Sequence, residues 1–171
     1  MTSISTFMYF AFGSNLLRER LQMMNPSATF HSIGRLKDYN LNFGVRGEKM
    51  SNRWHGGVAT IEESIGNEVW GVIWKLNRDD LPNLDKQEGV DKGIYRPLEV
   101  KVDTHEGEVV CRTYQMNDFR AMLPSPPYKQ VICLGAKQNG IPSDYIRKLE
   151  AMKTNDYNGP SIFDDIRRAM E

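Results

Sequence analysis

Leu123-Pro124-Ser125-Pro126-Pro127 divides this chain into two parts of different character. The prolines fix the backbone φ and remove amide donors, so neither a strand nor a helix runs through the segment. Apolar helical patterns follow at once, which makes it a rigid loop and not a linker between domains. Beyond it, Val131 to Gln138, Asp144 to Met152 and Ile162 to Met170 read as short helices. Ser161 with Asp164 forms a capping box on the last of them.

Before the proline segment, strand patterns dominate. Met8-Tyr9-Phe10-Ala11-Phe12 is an apolar run ending at Gly13, a buried strand. Ser14 or Asn15 is then expected to cap a helix whose Leu17, Leu21 and Met24 share one face and which Pro26 ends. Tyr39, Leu41 and Phe43 alternate with polar residues as a half-buried strand does. Val58 to Ile61 and Val69 to Leu76 read as two strands joined by a turn at Gly66-Asn67. Arg78 to Glu88 reads as a helix closed by Gly89, and Leu98–Val102 with Val109–Tyr114 as a hairpin around His105-Glu106-Gly107. Strands first and helices last give an α+β fold with a largely antiparallel sheet, in one domain over residues 1–171.

The bulk properties narrow the function. The 22 basic and 22 acidic side chains of the 171 residues cancel, so nothing drives binding to nucleic acid. Met1 to Thr6 lack the basic and apolar regions of a signal peptide, and no segment is long enough to span a bilayer. Cys111 and Cys133 are therefore read as reduced thiols filling space in a cytoplasmic protein. His31, His55 and His105 are scattered without ligand spacing, so neither a metal nor another cofactor is expected.

Two features carry chemistry. The Gly13-Ser14-Asn15 loop, between a strand and a helix, gathers backbone N–H groups suited to a carboxylate or an oxyanion. The same loop also serves as a simple turn and cap. On the helix that follows Arg78, Leu81, Leu84 and Glu88 share a face. An acid drawn onto that apolar stripe gains a raised pKa and becomes a base near neutral pH. A frayed last turn would instead leave Glu88 in water, and by helical phase Asp85 is solvated. The tryptophans Trp54, Trp70 and Trp74 are read as core, with a pocket wall as the other use of such rings.

Tyr9-Phe10-Ala11-Phe12-Gly13-Ser14-Asn15-Leu16 and Leu84-Asp85-Lys86-Gln87-Glu88-Gly89-Val90 resemble segments of the animal γ-glutamylcyclotransferases. Trp54–Thr60, Glu68–Val72, Gly93–Tyr95, Pro124–Lys129, Gly135–Lys137 and Asn155–Tyr157 extend the likeness in order from about Tyr9 to Gly159. The resemblance implies a small barrel-like mixed sheet flanked by helices, and a homodimer. It makes Glu88 the acid/base and assigns the substrate's glutamyl end to Tyr9, Phe10, Ala11, Phe12, Gly13, Ser14 and Asn15. Tyr128, and less directly Tyr95, then contact substrate. The implied reaction releases 5-oxoproline by attack of a γ-glutamyl α-amine on its own γ-carbonyl. Phe12 departs from the family, which has tyrosine there, and so lacks a hydroxyl whose hydrogen bond is worth roughly 0.5–1.5 kcal/mol. The alternatives are a sister cyclotransferase acting on γ-glutamylamines or glutathione, and a catalytically weak ligand-binding homologue.

Overall fold

The computed structural model describes residues 5–47 and 52–170. Residues 1–4, part of the segment examined for a signal peptide, lie outside it, as do 48–51 and 171. Strands β1 (Thr6–Ala11), β2 (Thr29–Arg46), β3 (Val58–Asn77), β4 (Tyr95–Thr104) and β5 (Gly107–Met116) pair in the order β3-β1-β5-β4-β2, and β2 pairs back onto β3. The sheet thus closes on itself as a mixed five-strand barrel. All its pairings are antiparallel except β1 with β5, which meet in parallel at Tyr9 and Arg112. The short β6 (Phe119–Ala121) continues the edge of β2 at Gly44 to Arg46. Closure leaves the barrel strands few free edges, and apolar side chains on both faces of the sheet are wholly buried, among them Phe10, Ile61, Ile73 and Trp74.

The turn expected at Gly66-Asn67 is a bulge. β3 runs unbroken past it, because Glu63 pairs with Tyr39 and Glu68 with Lys37 on one continuous β2. Ser64 to Asn67 therefore stand opposite Asp38 alone. Gly66 supplies a positive φ of 89° and donates its N–H to Asp38 Oδ1 at 3.0 Å. A turn dipeptide marks local curvature, but only the partner strand decides whether the chain reverses. The β4–β5 hairpin forms as expected, with Thr104 paired to Gly107.

Among the described residues five short helices, α1 (Arg18–Gln22), α2 (Leu81–Gln87), α3 (Pro126–Gln138), α4 (Ser143–Glu150) and α5 (Ile162–Met170), flank the barrel. α3 starts well before Val131, because Pro126 and Pro127 occupy its first positions and Ser125 Oγ accepts the N–H of Tyr128. The capping box on α5 is formed: Ser161 Oγ accepts from Phe163 N, and Asp164 accepts from Ser161 N. Neither Ser14 nor Asn15 caps α1. Those residues make a 3₁₀ turn of their own, and Leu17 occupies the cap position. Leu17 and Leu21 are buried as expected, while Met24 lies past the helix end and is exposed.

Candidate active site

β1 delivers its last residues to one end of the barrel, and α2 meets them there. The 3₁₀ turn at Ser14–Leu16 packs under α3, whose Gly135 allows that contact, and Trp74 Nε1 holds the carbonyl of Asn15 at 3.0 Å. Gly89, with φ of 66°, ends α2 immediately after Glu88. A cavity of about 130 Å³ lies between these elements. Glu88, Tyr9, Phe12, Gly13, Ser14, Asn15, Tyr95 and Tyr128 all line it, so most of the expected residues meet at one point. Phe10 and Ala11 do not. Both are buried in the core, and the Phe10 carbonyl accepts from Thr113 Oγ1.

Glu88 as a residue is only partly buried, but its carboxyl group is enclosed by protein beneath the tyrosines. Burial raises its pKa from 4.5 to about 7, against the opposing pull of Arg20 and a hydrogen bond from Tyr9, with a small further push from Asp85. The Tyr9 hydroxyl donates to Glu88 Oε1 at 3.4 Å and accepts from Asn15 Nδ2 at 3.0 Å. Gln87 Nε2 donates to Asn15 Oδ1 at 2.8 Å, and Asn25 Nδ2 to Gln87 Oε1 at 2.9 Å. This amide chain fixes Asn15, and through it the phenol that faces the acid.

Tyr95 and Tyr128 converge on the backbone of Ala59. Tyr95 donates to the Ala59 carbonyl at 2.6 Å, and the Ala59 N–H donates to the Tyr128 hydroxyl at 2.7 Å. The Tyr128 proton is therefore free to point into the cavity. Burial raises the pKa of Tyr9, Tyr95 and Tyr128 above the usual phenol range, so all three remain donors at neutral pH. Gly13 passes close beneath: a Cβ there would lie 2.9 Å from Ala59 Cβ and 3.0 Å from the Tyr128 hydroxyl.

The structure corrects and extends the reading of individual residues. Asp85 is only partly exposed, because Arg112 of β5 binds both its oxygens, at 2.9 and 3.0 Å, and Tyr114 donates to it at 2.5 Å. Trp54 is a pocket wall, with its ring centroid 5.0 Å from that of Tyr128, whereas Trp74 is wholly buried. Arg20 and Tyr114 also line the cavity, and nothing local in the sequence marked them. The three histidines are exposed, and no group of His, Cys, Asp and Glu among the described residues is placed to hold a metal ion. No helix among the described residues is long and apolar enough to cross a membrane.

The AIG2-like family model matches residues 68–149. The gamma-glutamylcyclotransferase of Bos taurus is 56% identical over 155 residues, which cover 90% of this chain and 82% of that protein. That of Mus musculus is 54% identical over the same length and shares. A solved structure of a gamma-glutamyl cyclotransferase superimposes with a TM-score of 0.92 at 50% identity, over 96% of this chain and 99% of the other.

Proposed function

The chain belongs to the gamma-glutamylcyclotransferase family and has that enzyme activity, and we propose that it converts γ-glutamyl-amino acids to 5-oxoproline and the free amino acid with Glu88 as acid and base. The α-amine attacks the γ-carbonyl carbon of its own glutamyl group, so the nucleophile comes with the substrate and positioning supplies much of the acceleration. As the ring N–C bond forms, the amine passes a proton to Glu88. Glu88 returns it to the departing nitrogen as the old amide bond breaks. The Glu88 carboxyl carries this reading: it stands on the cavity wall with its pKa brought to about 7, where one group serves in both directions.

The cavity is small beside ordinary ligand pockets of roughly 300–1,000 Å³. That size supports a site which encloses the glutamyl end and leaves the released amino acid outside. Phe12 keeps its ring on the wall, so the missing hydroxyl bears on rate and preference and leaves the acid untouched. The free thiols Cys111 and Cys133 support a cytoplasmic setting for this single domain. The homodimer implied by resemblance is read out by sedimentation of the purified chain.

The test is 5-oxoproline release from γ-glutamyl-alanine, its N-acetyl derivative, glutathione, and γ-glutamyl-lysine linked through the side-chain amine. We expect γ-glutamyl-alanine to be turned over fastest and the N-acetyl compound not at all, since acylation takes the nitrogen lone pair out of service. Turnover of the N-acetyl compound would refute the nucleophile. Faster release from glutathione or the lysine compound would move the protein to a sister activity.

The pH dependence follows from Glu88. Its pKa is raised, so the carboxylate is lost as pH falls through about 7, well above the ordinary 4.5. kcat/KM should therefore drop on the acid side with a midpoint of about 7. A midpoint at the ordinary carboxylate value would show that another group is the base.

A further inference from the structure

Arg20 is a cation on the cavity wall with no ion-pair partner among the described residues. It lies on α1, only 8% of its surface is exposed, and its guanidinium sits 5.8 Å from the centre of the Trp54 ring. Its Nε has no hydrogen-bond partner, and it takes part in none of the ion pairs formed among the described residues. The other charged residue that is buried among the described residues is engaged. This residue, Asp80, accepts from Ser27 N and Asn83 Nδ2. Burying an unpaired cation is costly unless an anion arrives to meet it.

The anion that fits is a carboxylate, whose two oxygens match the guanidinium fork. The glutamyl end of the substrate is a zwitterion, with its ammonium and carboxylate on one carbon. Glu88 and Arg20 present the complementary pair of charges on the same cavity wall, near enough to feel each other's field yet not joined in an ion pair. Building on the function proposed above, we propose that Arg20 binds the α-carboxylate of the γ-glutamyl group and so turns the α-amine toward Glu88. The Gly13–Asn15 segment and the Tyr128 hydroxyl are then left for the γ-carbonyl oxygen. Arg20 thereby sets specificity for a free α-carboxylate, and the aromatic wall at Trp54 holds it in place.

The experiment compares wild type, Arg20→Gln and Arg20→Lys on three substrates, at a pH where Glu88 is ionised in all of them. The substrates are γ-glutamyl-alanine, the same compound with its glutamyl α-carboxylate converted to the carboxamide, and γ-glutamyl-alaninamide, which lacks only the carboxylate of the leaving side. Arg20→Gln should lower kcat/KM on the order of 100-fold for the two substrates that keep the α-carboxylate. It should cost the α-carboxamide little, because wild type has already lost the pairing there. Arg20→Lys should fall between, retaining charge without the fork, and it carries the test if the Gln variant does not fold. An equal loss on all three substrates, or a loss that disappears with the alaninamide, would overturn the assignment while leaving the activity intact. A wild type that releases no 5-oxoproline from γ-glutamyl-alanine would instead sink the parent reading, and this one with it.

Discussion

Replacing Glu88 by Gln is expected to lower turnover of γ-glutamyl-alanine by roughly 100- to 10,000-fold, the range for loss of a general acid–base group, while making the folded protein more stable above neutral pH. The two effects share one cause. The enclosing tyrosines and the end of β1 that raise the Glu88 pKa, and so suit it to the proposed role of base, also make its ionised form unfavourable. Its folded pKa of about 7 lies above the ordinary 4.5, so the folded state holds the proton more tightly than the unfolded chain. This contribution to stability is fully present below the unfolded value and is lost as pH rises through the folded one. At pH 8 the ionised acid costs on the order of 3 kcal/mol.

Gln has nearly the same shape, can still accept from Tyr9 through its amide oxygen, and carries no charge. Glu88→Gln should therefore melt above wild type at pH 8, and the gap should narrow toward pH 5. Melting curves at the two pH values, run beside 5-oxoproline assays, check both halves. Near-wild-type turnover in a folded variant would end the assignment of Glu88. A stability gap unchanged by pH would mean that Arg20 compensates the carboxylate fully in the folded state.

The second large effect is expected from packing and not from titration. Gly135 lies on α3 where a Cβ would stand 2.5 Å from Leu17 N, 2.6 Å from Leu16 C and 2.8 Å from Leu16 Cβ. Two of those atoms are backbone, which cannot rotate aside as a side chain tip can. Alanine gains about 1 kcal/mol of helix propensity over glycine. Overpacking costs about 1–3 kcal/mol or more, and a backbone-on-backbone clash belongs at the upper end. Gly135→Ala should therefore be net destabilising. Relief requires α3 to lift away from the Ser14–Leu16 turn, and Leu16 directly follows Asn15, which positions Tyr9 beside Glu88. A shift of about 1 Å there is enough for a loss on the order of 100-fold in kcat/KM. A Gly135→Ala protein with wild-type melting and turnover would show that the loop is not held by this contact.

The sequence by itself determined the elements whose causes are local. The apolar run from Met8 made a strand that ends at Ala11, one residue short of Phe12, the Leu98–Tyr114 stretch made a hairpin, and Ser161 with Asp164 started the last helix. Gly89 ended α2 where its positive φ was needed, and the phase of Leu84 with Glu88 was enough to place an acid on the inner face. What only the tertiary structure decided depended on groups far away in the chain. Gly66-Asn67 carries a turn signal, yet β2 pairs on both sides of it and turns it into a bulge. Asp85 has the phase of a solvated residue, yet β5 brings Arg112 and Tyr114 across it. Arg20 stands beside Arg18 and Glu19 in a charged stretch that carries no local sign of burial. It is buried because the chain that leads into β3 lays Trp54 over it. Helix and strand signals arise from neighbours a few residues apart, whereas the burial of a charge is set by which distant segment closes over it.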